Sequence, residues 1–135
     1  MNRHKARENA FLIVFESFFL DLGFEELLRI AAEMEEIKLN EYSKKIIAGV
    51  LQHRTEIDEK IKFFLKNWEI DRIPMVLRAI LEISFYEILY VQDVDPPVSI
   101  NEAVELAKEY FADDGPSFVN GVLGSFIKSI NLKEN

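Results

Sequence analysis

The sequence predicts an all-α fold, and three observations carry that prediction. Apolar residues recur at helical spacing over long stretches, as in Ile46, Ile47, Val50, Leu51, Ile57, Ile61, Phe64 and Leu65. Gly and Pro are scarce, five and four among 135 residues, too few for the frequent turns of an all-β fold. Ser99–Gly124 reads as two helices joined by an Asp-Asp-Gly-Pro turn. About seven helices in a single domain over residues 1–135 are expected, a length that can bury one core.

The first helix is expected from about Arg3 to Leu20. Phe11, Val14, Phe15, Phe18 and Phe19 form its apolar face, and Gly23 ends it. A short second helix covers roughly Phe24 to Ile37, with Leu27, Leu28, Ala31 and Met34 inward. Asn40 is placed to cap the next helix, which keeps its period to about residue 66. That is long for a globular helix, so a kink is expected near His53 to Thr55, with Trp68 closing the segment. Asp71-Arg72-Ile73-Pro74 reads as a cap or turn before a central helix, Met75 to Val91, interrupted by charge only at Arg78, Glu82 and Glu87. Gln92 to Pro97 reads as a loop, and Ser99 with Glu102 as a capping box for the following helix. Pro116 suits the start of the last helix, and NLKEN reads as a polar tail.

Composition excludes several classes. Without Cys there is no disulfide, thiolate or Cys-based metal site, which fits a cytoplasmic protein. No apolar run approaches the ~20 residues of a membrane-spanning helix. The start, MNRHKARENAFLIVF, mimics a signal peptide. Glu8 and Glu16 bracket only a short apolar run, however, and no small-residue cleavage site follows, so it reads as a helix of the mature protein. Phosphate-loop, dinucleotide and nucleophile-elbow motifs are absent. His4 and His53 lack metal-ligand spacing. No enzyme and no cofactor are expected.

Recognition remains. A net charge of −8 argues against a general nucleic-acid coat, but Arg3, His4, Lys5 and Arg7 make the start basic. As a bare pattern such a start is more often a solvated tail. Aromatic residues nearby, on which unpaired bases stack, would change that; Phe15, Tyr110 and Phe118 are candidates, each more often core when judged alone. Arg78, Glu82, Phe85 and Leu89 share one stripe of the central helix, which reads either as a partner surface or as the boundary between core and solvent.

INEAVELAKEYF at Ile100–Phe111, followed by FVNGVL at Phe118–Leu123, closely resembles the NusB family of transcription antitermination factors. Ala6-Arg7-Glu8, DEKIKFFLKNW at Asp58–Trp68, Asp71-Arg72-Ile73-Pro74 and Ile80–Glu87 agree as well, so the resemblance spans the chain. It implies two packed helical bundles. It also implies a factor that binds boxA RNA with the ribosomal small-subunit protein NusE, acting with other Nus factors and RNA polymerase. By position it puts Arg3, His4, Lys5 and Arg7 at the RNA, with Phe15, Tyr110, Asp114 and Phe118 near it. Arg78, Glu82, Phe85 and Tyr86 fall in the region that meets NusE. Relatives often carry a denser arginine run at the start, and commonly a basic residue where Glu82 stands. Two other readings compete: the RNA-binding module at the front of some ribosomal-RNA cytosine methyltransferases, and a helical domain that binds only protein. The first would continue into a cofactor-binding α/β domain, whereas this chain stops at Asn135. Pairing of the aromatic first helix into a homodimer is left open.

Overall fold

The structure, a computed structural model, describes residues 1–66 and 68–134. Among them it contains six α-helices, one short 3-10 helix and no strand. The helices are α1 (Arg3–Glu16), α2 (Phe24–Glu33), α3 (Glu41–Phe63), α4 (Met75–Tyr90), α5 (Pro96–Tyr110) and α6 (Gly115–Glu134), with the 3-10 turn at Ile70–Arg72 before α4. α1 and α2 pack on α3, while α4, α5 and α6 pack on one another. α4 also touches α1 and α3 and so joins the two groups. Asn67, in the DEKIKFFLKNW stretch, and Asn135, in the expected tail, lie outside the described residues.

α4 is central because ten of its sixteen residues are buried. Phe85 stacks on Phe126 of α6 with ring centroids 4.1 Å apart, and Phe64 at the end of α3 tilts against Phe126 at 5.4 Å. At Gly49 of α3 an added Cβ would lie 2.1 Å from the Tyr86 ring, so glycine is what lets α3 and α4 close.

Several boundaries differ from expectation. α1 stops at Glu16, and Gly23 is the N-cap of α2 rather than the end of α1. Asn40 does cap α3, accepting from the Ser43 amide at 2.9 Å. α3 runs unbroken through His53–Thr55. Tertiary contacts hold that stretch: His53 stacks on Tyr90 at 4.3 Å, and Arg54 bonds Glu82 and Ser17. α5 begins at Pro96, with Asp95 at the cap position, so the expected loop is shorter. Ser99 lies inside the helix and is fully buried, donating from Oγ to Glu87 Oε1 at 3.2 Å. The expected capping box therefore does not form, and Glu102 binds His4 instead. α6 continues through Asn131–Glu134, where a polar tail was expected.

Most of the residues expected to meet a partner on α4 are core, and the stripe through Arg78, Glu82, Phe85 and Leu89 runs along the boundary, with Arg78 and Leu89 partly exposed. Glu82 and Phe85 are 0% exposed and Tyr86 is 6% exposed, because helices cover α4 on those sides. Arg78 keeps partial exposure. It reaches Asp58 at 2.8 Å and stands 3.7 Å from Glu82, whose other oxygen meets Arg54. Asp58 Oδ1 and Glu82 Oε2 are buried without a hydrogen-bond donor. Burial pushes the Glu82 carboxyl up to about 9, neighbouring Asp58 adds to this, and Arg54 pulls only partly back. Burial and the neighbouring Asp58 carboxylate thus outweigh the two nearby guanidiniums and favour the protonated form of Glu82.

Candidate nucleic-acid interface

Asn2 caps α1, accepting from the Lys5 amide at 2.9 Å, and so sets Arg3, His4 and Lys5 in the first helical turn. No acid occupies that turn. Cations here sit at the positive end of the helix dipole, where a helix built for stability carries Asp or Glu. The fold offsets this with two acids from other segments and one from the next turn of α1. Arg3 Nη2 donates to Asp93 at 2.9 Å, His4 Nδ1 meets Glu102 of α5 at 2.5 Å, and Lys5 Nζ donates to Glu8 at 2.7 Å. The Glu102 contact holds the His4 pKa above its ordinary value, and the hydrogen bond to Asp93 does the same for Arg3. All three basic side chains remain about half exposed. The Arg3 guanidinium also lies over the Tyr42 ring, 4.3 Å from its centre.

Arg7 is placed differently. It was expected at the RNA surface, yet its side chain is 5% exposed and its Nε donates to Glu87 of α4 at 2.8 Å. It lies one turn below Arg3 on the same helical face, where α1 is already covered by α4. Tyr42 and Ser99 donate to the same Glu87 carboxylate. Burial and the Glu87 bond push the Tyr42 phenol well up, so it remains a donor. Arg7 ties helices together rather than facing solvent.

Tyr110 joins the basic turn through Glu8, donating from its hydroxyl to Oε2 at 2.9 Å, and packs on Phe11 at 4.9 Å. Burial works against the Glu8 charge, but Lys5 and Tyr110 outweigh it and hold the carboxyl below its ordinary range. Burial, with Glu8, pushes the Tyr110 phenol up. Phe15 is half-buried, 6.4 Å from Phe11, and makes an edge contact at 5.1 Å with Phe19, which is 58% exposed. Lys5 and Tyr110 thus meet at Glu8, and Phe15 is linked to Tyr110 through the buried Phe11 ring.

Asp114 and Phe118 lie at the turn between α5 and α6. Ala112 and Asp113 take positive φ, 65° and 49°, which ends α5 abruptly and turns the chain into α6. Asp114 is exposed, and Phe118 is half-buried. Phe118 and Trp68 together line two neighbouring depressions of about 340 and 280 Å³. Lys66 lies on the first; Arg72, Asp114 and Phe111 lie on the second. In the sequence, Trp68, Lys66 and Arg72 stand only as residues of family-like motifs, Glu102 as a capping partner and Asp93 as part of a loop, none with an expected part in binding. No local signal marks them, since each gains its place only when distant segments meet.

Among the described residues, no group of His, Cys, Asp and Glu is arranged to hold a metal, and no helix is long and apolar enough to cross a membrane. A model of the NusB family matches residues 4–128. The transcription antitermination protein NusB of Oceanobacillus iheyensis is 42% identical over 127 residues, 94% of this chain and 99% of that protein. Its counterpart in Clostridium novyi is 41% identical over 133 residues, 96% of this chain and all of that protein. Among solved structures, antitermination factors NusB and NusE in complex with double-stranded RNA include a chain that is 31% identical. It superposes with a TM-score of 0.84, covering 94% of this chain and 96% of that one.

Proposed function

The chain belongs to the NusB family, and from that premise we propose that it is an antitermination factor binding boxA RNA together with the ribosomal protein NusE. In this reading it works in the cytoplasm as a non-enzymatic subunit. Residues 1–135 act as one RNA-binding domain, within a larger assembly of other Nus factors and RNA polymerase.

The observation that carries the RNA site is the basic first turn of α1. Three basic residues stand at the wrong end of a helix dipole, beside Tyr110, and are offset by Asp93 and Glu102 from other segments, by Glu8 from the next turn of α1 and by the Tyr42 ring. Departures from the stability rule of this kind gather at functional sites. Exposed ion pairs contribute about 0–1 kcal/mol each, so phosphates can take the place of Asp93 and Glu102. Those acids also weaken binding by this face alone, which makes a partner's contribution necessary. Arg3, His4 and Lys5 form the phosphate contacts; Phe15, Tyr110, Asp114 and Phe118 border the RNA. Arg7 supports the face from beneath.

NusE meets the chain away from the buried side of α4. Arg78 is the one member of the expected set that reaches solvent, and its guanidinium lies over the Phe18 ring at 5.2 Å, next in sequence to exposed Phe19. That apolar edge, with Asp71 beside Arg78, suits a basic ribosomal protein.

The test is boxA RNA binding at two salt concentrations, with and without NusE. Binding should be tighter with NusE and weaker at high salt. The double variant Arg3→Ala/Lys5→Ala should lower the salt slope by about one unit per lost contact. Equal affinity and slope for the double variant and the parent would refute the assignment of the site.

A further inference from the structure

The two depressions around Trp68 carry an inference that rests on the RNA reading and extends it. Trp68 is 58% exposed, although it is the largest apolar side chain available and lies close to a core edge formed by Phe64, Phe111 and Leu77. Phe118 shares both depressions with it, so the two aromatic residues form a common border with a hollow on either side. At roughly 30 Å³ per water, each hollow has room for about nine waters or more, ample for one planar base.

Each hollow also has one cation of its own. Exposed Lys66 lies on the hollow bounded by Ser117, Gly121 and Ser125. Arg72 lies on the hollow bounded by Pro74 and Phe111, and its contact with Glu69, 3.8 Å between two exposed groups, is weak and screened. Asp114 lines this second hollow and disfavours a phosphate beside it, so the backbone is received by Arg72. Aromatic walls with a cation for each ring-sized hollow are what successive unpaired nucleotides require: a π-face for each base and a positive charge for each phosphate. A protein partner would need no such pairing of one cation per hollow.

We propose that Trp68 and Phe118 form a stacking platform for two unpaired nucleobases of the bound RNA, with Lys66 and Arg72 neutralising the flanking phosphates. The RNA path then extends past the α5–α6 turn to the segment before α4.

Trp68 is the only tryptophan in the chain, so the chain's own tryptophan fluorescence comes from this site. Titrating single-stranded boxA RNA into the complex with NusE, taken as the baseline, should quench Trp68 fluorescence in parallel with the anisotropy of the labelled RNA. Trp68→Ala should bind about fivefold to a hundredfold more weakly, the worth of one stacked base, with its thermal melt unchanged. Trp68→Phe should recover most of the loss. If the parent complex binds RNA while Trp68 fluorescence stays constant and Trp68→Ala binds equally well, the platform is overturned and the basic turn of α1 stands as the RNA site. If the parent complex binds no boxA RNA, the RNA reading fails and the platform fails with it.

Discussion

Replacing Arg7 by alanine tests whether the basic start of α1 is a uniform RNA-binding strip or a half-buried tie. The Arg7 guanidinium donates to Glu87 at 2.8 Å, and the two side chains are 5% and 1% exposed. Breaking a buried pair by removing one partner costs about 3–5 kcal/mol, because a charge is left without its counter-ion. Tyr42 and Ser99 still donate to Glu87, so the lower end is expected, about 3 kcal/mol. With about 2.1 cal/mol/K of unfolding entropy per residue over 135 residues, each kcal/mol moves Tm by about 3–4 °C. The expected fall is therefore about 10 °C, seen equally as a lower urea midpoint at unchanged m-value. Arg3→Ala is the control: its contact with Asp93 is exposed, and its effect should stay within about 1 kcal/mol. Adding Glu87→Gln to Arg7→Ala should restore part of the loss, since the uncompensated charge is then removed. A destabilisation by Arg7→Ala no larger than that of Arg3→Ala would refute the buried tie.

Glu82 should make the fold sensitive to alkali. Its folded-state pKa, about 9, lies above the ordinary carboxyl value, so its stabilising contribution is complete below that ordinary value and is lost as pH rises towards 9. Urea unfolding of the parent should weaken by about 2 kcal/mol between about pH 7 and about pH 9, and by much less in Glu82→Gln, which keeps a donor for Asp58. Identical pH slopes in the two proteins would show that Glu82 is ionised in the fold. Gly49→Ala should cost at least about 1–3 kcal/mol by the same assay, because its Cβ meets the Tyr86 ring at 2.1 Å and α3 and α4 must separate. A neutral result would mean that Tyr86 swings aside without loss.

Much of the architecture was legible in the sequence because it depends on local signals. Helical periodicity located every α-helix, Asn40 was recognised as the cap of α3, and the near-continuous apolar run of Met75–Val91 identified the central helix. Boundaries went astray where a contact across the fold outweighed the local preference. Ser99 has the form of a capping residue, but its hydroxyl serves Glu87, and Asp95 ends the loop earlier. His53–Thr55 has the form of a break, yet Tyr90 and Glu82 hold it helical.

The same division runs through the site. The sequence by itself determined that the chain is helical, that its basic residues gather at the start, and that INEAVELAKEYF with FVNGVL places it among NusB-like proteins. These properties reside in order and spacing along the chain. Only the tertiary structure decided which charges face water. Arg3 and Arg7 share a helix face and differ by one turn, but α4 covers Arg7 and leaves Arg3 half exposed. Burial likewise removed Glu82, Phe85 and Tyr86 from the surface and brought Trp68 beside Phe118 across about fifty residues of sequence. The physical reason is that solvent exposure depends on what the rest of the chain packs against a residue, and periodicity tells which face turns inward but not how far the cover extends.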